Sequence, residues 1–432
     1  MRNLGIKLVS NRQNFLRMPR QPTEQGFRRI ALGLLCLVLT VDSQASAAAP
    51  ADGEISRVAL HGFGTLGAVR GDDANAEYIR DLSQPAGAGK SWTAKVDSLL
   101  GIQANIQISP QTEGVLQAVT RYHSDGSYDP ELTWAFVRHE FQPDFSLRAG
   151  RLGTEFYMLG DSRLVGYSNI SVRPPPDFYG SLVYSYIDGL DLSRTWPVAD
   201  GLLSGKLFAG RSPERAPFAP GMEWDQRGTL LVGGYLDFRR NDWQFRLSHA
   251  EVRFNHETPT DQLLQQFGDP LTGVPYLSLV PDMAMQDSWA HFSSIGLVFD
   301  RGPLNLQLML NQIQQDSPSY ADSKAGYLQA AYRLGSVTPY LGVSRSLTHK
   351  DPLPASPIPG IDALTLSLVS QSYMDQFTYT LGARWDLARN LAMKAQVDWV
   401  RGEADSLFLF KNATPDWDGD MTVFSLALDF VF

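Results

Sequence analysis

Thr422-Val423-Phe424-Ser425-Leu426-Ala427-Leu428-Asp429-Phe430-Val431-Phe432 decides the fold. Every second residue from Phe424 to Phe432 is large and apolar. The residues between them are small or polar, apart from Val423 and Val431. A period of two describes a strand with two unlike faces. Its greasy face runs through Phe432 itself, which an edge strand of a soluble sandwich has little reason to do. A strand of a membrane β-barrel does, because its outer face meets lipid and every backbone group is paired within the closed sheet.

The opposite end of the chain sets the compartment. Arg28-Arg29 precede an apolar stretch from Ile30 to Val41, and Ala45-Ser46-Ala47 follows as a small-x-small site. This is the pattern of a secretory leader. The expected division is a signal peptide over 1–47, with Met18 as an alternative start, and a barrel over 48–432. The twelve positions from Ile30 to Val41 are too few for a spanning helix. Cys36, the one cysteine, lies inside this leader, and Gly33-Leu34-Leu35-Cys36 makes a poor lipobox. The mature chain therefore offers no disulfide, Fe–S cluster or thiol nucleophile.

Residues 1–47 carry seven basic and two acidic residues, so beyond them 30 Lys+Arg face 44 Asp+Glu, a net of −14. Nucleic acid is a poor partner for such a chain. No later stretch is apolar for the ~18 residues of a membrane helix. Polar and apolar barrel faces average out, which fits the slightly negative mean hydropathy of −0.19.

Sixteen strands are expected, near 57–70, 95–109, 112–123, 130–141, 144–152, 180–194, 201–211, 227–239, 242–254, 287–300, 303–315, 322–334, 337–348, 373–387, 390–403 and 420–432. Some alternate cleanly. Leu100, Ile102, Ala104, Ile106 and Ile108 oppose Gly101, Gln103, Asn105, Gln107 and Ser109. Phe377, Tyr379, Leu381, Ala383 and Trp385 oppose Thr378, Thr380, Gly382, Arg384 and Asp386. The sixth and thirteenth are ambiguous in phase. Connectors after even strands are turn-like. After odd strands they are mostly long: 71–94, 153–179, 212–226, 255–286, 349–372 and 404–419. That alternation is what an even-stranded barrel with both termini on one side requires. Gln262-Leu263-Leu264-Gln265-Gln266-Phe267 has the composition of a short helix within its loop.

Three features together resemble the general porins of Gram-negative bacteria. They are the opening strand Leu60-His61-Gly62-Phe63-Gly64-Thr65-Leu66-Gly67, the strand Leu147-Arg148-Ala149-Gly150-Arg151-Leu152 ahead of a long third connector, and Phe432. The resemblance implies an all-β transmembrane antiparallel barrel of sixteen strands in the outer membrane, usually a homotrimer. Its third loop folds inward to narrow a water-filled pore for small hydrophilic solutes. Outer-membrane lipid and the barrel assembly machinery are the implied partners, with Phe432 as assembly signal. The third connector departs from the family pattern. Leu159-Gly160-Asp161-Ser162-Arg163 and Arg173-Pro174-Pro175-Pro176-Asp177 do not match an acidic constriction loop residue by residue.

Other motifs give way to plainer readings. Gly62-x-Gly64-x-x-Gly67 matches a dinucleotide fingerprint but lies within a strand with no helix after it; it reads as a small-residue stripe on the wall. Gly87-Ala88-Gly89-Lys90-Ser91 lacks the first glycine of a phosphate loop, since position 84 is Gln84. Seven scattered histidines show no metal-ligand spacing. His123-Ser124-Asp125 has hydrolase residue types, but neighbours in one short loop seldom form a triad. No catalytic residue, cofactor or metal is expected.

The charges carry the functional expectation. Strand phase points Arg148, Lys206, Arg246, Arg384 and Lys394 into the pore, with Glu140, Asp237, Asp386, Asp398 and Asp429. The third connector adds Glu155, Asp161, Arg163, Arg173 and Asp177 as constriction candidates, stiffened by Pro174–Pro176. Opposed charges in a narrow, low-dielectric-walled pore set ion preference and orient polar solutes. Passive diffusion is the leading expectation. A solute-selective channel, a barrel enzyme and an adhesin are the alternatives.

Overall fold

A computed structural model describes residues 57–432, apart from 124, 183, 220, 221, 265–272, 351, 356, 357, 359 and 360. The expected leader, Ser124 and Gln265–Phe267 lie outside the described residues.

Sixteen antiparallel strands form a closed barrel. They are β1 (Val58–Gly71), β2 (Leu99–Ser109), β3 (Thr112–Arg121), β4 (Glu131–Gln142), β5 (Phe145–Gly153), β6 (Tyr186–Val198), β7 (Gly201–Arg211) and β8 (Leu230–Arg240), followed by β9 (Trp243–Arg253), β10 (Trp289–Arg301), β11 (Leu304–Gln315), β12 (Ser323–Tyr332), β13 (Val337–Thr348), β14 (Asp375–Ala388), β15 (Leu391–Gly402) and β16 (Met421–Val431). All sixteen expected strands are present. β1 closes the ring on β16, in register from Phe63↔Val431 to Gly71↔Val423. Closure leaves no wall strand with an unpaired edge.

Turns and connectors alternate as the strand count requires. β2–β3, β8–β9, β10–β11 and β14–β15 are joined by two residues each. Asn241 and Gly302 supply the positive φ, +50° and +56°, that such tight turns need. Connectors at the opposite end span 72–98, 154–185, 212–229, 254–288, 349–374 and 403–420. The expected helix in the fourth of these is Pro259–Leu264. A longer helix, Ile361–Val369, lies in the fifth. Its Ile361 and Val369 pack with Leu264, Tyr276 and Met283 of the neighbouring connector.

The outer surface is an apolar band. Ile102, Leu207, Leu236, Leu247, Ile295, Leu310, Leu328, Leu341, Tyr379, Leu381 and Leu426 are all exposed. A soluble protein would not show so much contiguous apolar area. Trp243, Tyr332 and Trp385 face outward at the short-turn end, each close to half exposed. Phe430 lies on the face of the last strand that the sequence turns toward lipid, yet it is covered. Its ring lies over Gly64, and Phe432 lies over Gly62. The two rings stack at 6.4 Å. The glycine stripe therefore receives the aromatic end of β16, while a Cβ on Gly67 would meet Asp97 on the inner side.

Strand limits deviate where connectors take up residues. β6 starts at Tyr186, not 180, because Pro176–Tyr179 forms one helical turn and Gly180 N–H bonds back to the Pro176 carbonyl at 2.7 Å. Proline at the first helical position sacrifices no backbone bond there.

Candidate functional site: the barrel interior

The third connector, 154–185, starts and ends at one place. Thr154 N–H donates to the Ser185 carbonyl at 3.1 Å, and the Thr154 hydroxyl donates to the Tyr184 carbonyl at 2.6 Å. Between these ends, its polar groups bond to wall side chains whose strand phase is inward.

On the β5–β9 side, Glu155 is the centre. Its carboxylate accepts from Arg148 at 2.9 Å, Lys206 at 2.6 Å and the Tyr235 hydroxyl at 2.8 Å. Burial alone would raise this carboxyl, but Lys206 and Arg148 hold it down at about 2. Arg148 also grips Asp191. Arg246 pairs with Asp237 at 2.8 Å and stacks 3.9 Å from the Tyr235 ring centroid. Arg148, Lys206 and Arg246 thus lie on alternate strands β5, β7 and β9. Asp161 is exposed beside them, with Glu155, Lys206 and Arg246 as the charges acting on it.

On the β13–β16 side the connector is fastened. Arg173, 2% exposed, donates to Asp97 at 2.9 and 2.6 Å, to Ser425 at 2.6 Å and to Asp398 at 3.3 Å. Asp177, equally buried, accepts from Ser344 and Gln376. Lys394 donates to the carbonyls of Gly166 and Ser171 at 2.7 and 3.0 Å and pairs with Asp429 at 2.9 Å. Arg384 reaches the carbonyls of Tyr167 and Asn169 and the carboxylate of Asp386. Such fully partnered charges position backbone and present little free charge to a solute.

Arg163 stands apart from both groups. It lies with Arg121, the last residue of β3, and with Asp81 and Ser185. The structure therefore brings Glu155 and Asp161 together with Arg148, Lys206 and Arg246. Arg173 and Asp177 lie elsewhere in the same connector, and Arg163 in a third cluster.

The connector also makes apolar contacts with the wall. Phe156, Tyr157, Met158, Phe178, Tyr179, Leu182 and Tyr184 of the connector pack with Phe208, Phe292, Met309 and Tyr327 of the wall. Phe156 stacks on Phe208 at 5.7 Å, and Phe178 meets Tyr327 edge-on at 5.4 Å. Sequence reading missed this cluster, together with Asp191, Tyr235 and Asp97. The inward phase of Asp191, between exposed Leu190 and Leu192, was the available signal for one of them.

No family profile and no curated protein matches the chain. Solved structures do. OmpF of Salmonella typhi, in a complex with daunomycin, aligns over 87% of this chain and 97% of its own, with TM-score 0.54 and 12% identity. OprB of Pseudomonas putida aligns over 87% and 94%, with TM-score 0.51 and 11% identity. The outer-membrane channel DcaP of Acinetobacter baumannii aligns over 87% and 97%, with TM-score 0.50 and 10% identity. By this likeness the chain has the fold of the Gram-negative outer-membrane porins.

Proposed function

We propose that the protein is a porin, a channel through which small hydrophilic solutes and ions cross the outer membrane passively. The observation that supports this reading is a closed sixteen-stranded barrel in which Arg148 and Lys206 of the wall pair with Glu155 of the third connector, with Arg246 and Asp161 beside them. In this reading the connector is the constriction. Glu155 and Asp161 form its acidic side, and Arg173, Asp177, Arg384 and Lys394 fix it in place. Arg163 belongs to its long-connector side. No chemistry is performed, no cofactor is used, and residues 1–47 are removed on export.

The packed aromatic interior favours a narrower, solute-selective channel as the second reading. The subunit assembles as a homotrimer in lipid, delivered by the barrel assembly machinery through its aromatic strand β16. Planar-bilayer recording of the purified protein tests the whole. Ohmic steps proportional to salt support open diffusion, and small steps blocked by a solute support selectivity. Absence of conductance from heat-modifiable, folded protein overturns both.

A further inference from the structure

We propose a binding site for an oxyanion, a phosphate or carboxylate group, between Arg121 and Arg163 on the long-connector side of the interior. Three guanidinium groups meet there. Arg80 comes from the β1–β2 connector, Arg121 from the end of β3 and Arg163 from the third connector. Arg121 and Arg163 are 6% and 8% exposed. Both donate to the same oxygen, the Ser185 hydroxyl, at 3.4 and 2.9 Å, so two cations lie side by side.

One carboxylate answers all three. Asp81, 6% exposed, lies 3.7 Å from Arg121 and 3.4 Å from Arg80, and also accepts from the Ser83 N–H and hydroxyl. Glu214 is the next carboxylate to act on Arg163. Its Oε2 is already engaged by the backbone N–H groups of Ser185 and Tyr186, at 2.7 and 3.3 Å. Positive charge is in excess even when Glu214 is ionised.

The donors are also incompletely used. Nη1 of Arg163 and Nε of Arg121 are buried without a hydrogen-bond partner. A buried arginine N–H left unpaired is costly, and arginine pairs have the fork geometry that oxyanions accept. Crowding shows in the titration of the group: burial and the neighbouring Arg121 and Arg80 push Arg163 down to about 10. Ser83 and Arg80, partly exposed, lie at the margin of the site. An anion there would fill two vacant donors and offset the uncompensated charge at once.

Titration calorimetry on the full protein in detergent micelles tests this at fixed ionic strength, with sodium phosphate and sodium acetate as probes and chloride as background. Saturable binding of phosphate, acetate or both to wild type is expected. Preference for phosphate identifies a phosphoryl site, and equal binding a general oxyanion site. Arg163→Gln and Arg121→Gln should each weaken binding about tenfold or more, the loss of one charge-assisted pair. Phosphate should raise the unfolding temperature of wild type and leave that of Arg163→Gln unchanged. No saturable heat from wild type with either probe overturns the site, even where a variant fails to fold. Undiminished affinity in folded Arg163→Gln also overturns it. Binding in micelles is independent of conductance, so this result and the channel reading fail separately.

Discussion

At the residue scale, the constriction hypothesis separates charges that face solute from charges that hold structure. Asp161 is exposed, and Glu155 is spent on Arg148, Lys206 and Tyr235. Removing the Asp161 charge alters the field, and an Asn oxygen can still accept the Ser162 backbone N–H. A unit charge about 7 Å from an ion in water is worth about 0.6 kcal/mol. Asp161→Asn should therefore shift the cation-to-anion permeability ratio severalfold toward anions, since the charge attracts a cation and repels an anion alike, read as the zero-current potential in a salt gradient. Glu155→Gln acts differently, because it leaves two buried cations short of a partner. It should cost roughly 3 kcal/mol in the folding equilibrium measured in denaturant. Asp261, in the β9–β10 connector, is a pH-sensitive group. Burial raises its carboxyl to about 7, against the hydrogen bonds from Thr258 and Ser319. A raised folded-state value means that its stabilising contribution is complete below about pH 4 and is lost as pH rises through about 7. Proteolysis within 254–288 should be faster at pH 8 than at pH 5, and Asp261→Asn should flatten that difference.

At the element scale, two pieces are decisive. Strand β16 closes the barrel, and Phe432 exchanges both backbone bonds with Gly62, at 2.8 and 2.9 Å, while its ring covers that glycine. This is the aromatic covering of a strand glycine that pins register. Phe432→Ser should lower the yield of heat-modifiable folded protein, and unchanged yield would count against the closing role. The third connector is the second piece. Deleting residues 159–169 removes Asp161, both carbonyls that hold Arg384 and one of the two that hold Lys394, but spares the Arg173 and Asp177 anchors. Single-channel conductance should rise. If it stays the same while the barrel folds, the constriction belongs to 254–288 or 349–374. The sequence marked this connector by length and charge, but not its aromatic residues as an interior core. Phe156, Tyr157, Phe178 and Tyr179 follow no period, and what they bury against was not readable from spacing.

At the scale of the whole molecule, the sequence by itself determined the wall. Period-two alternation and the rhythm of short and long connectors follow from a sheet that must face lipid outward and pair every edge. Those constraints act on neighbours along the chain and across one turn, so sixteen strands and the shared face of Phe377, Tyr379, Leu381 and Trp385 were legible in order. The sequence assigns Arg148, Lys206, Arg246, Arg384 and Lys394 to the polar faces of their strands for the same reason. Which charge meets which was not. Arg173 lies 76 residues from Asp97 and 225 from Asp398, and Arg163 meets Arg121 and Asp81 only after the ring has closed. Phe208, Phe292 and Tyr327 face the same interior as the polar groups. Only the path of the third connector decided that they are covered and not wet. Tertiary structure decided the interior because its contacts join segments far apart in sequence, whose separation no local period encodes.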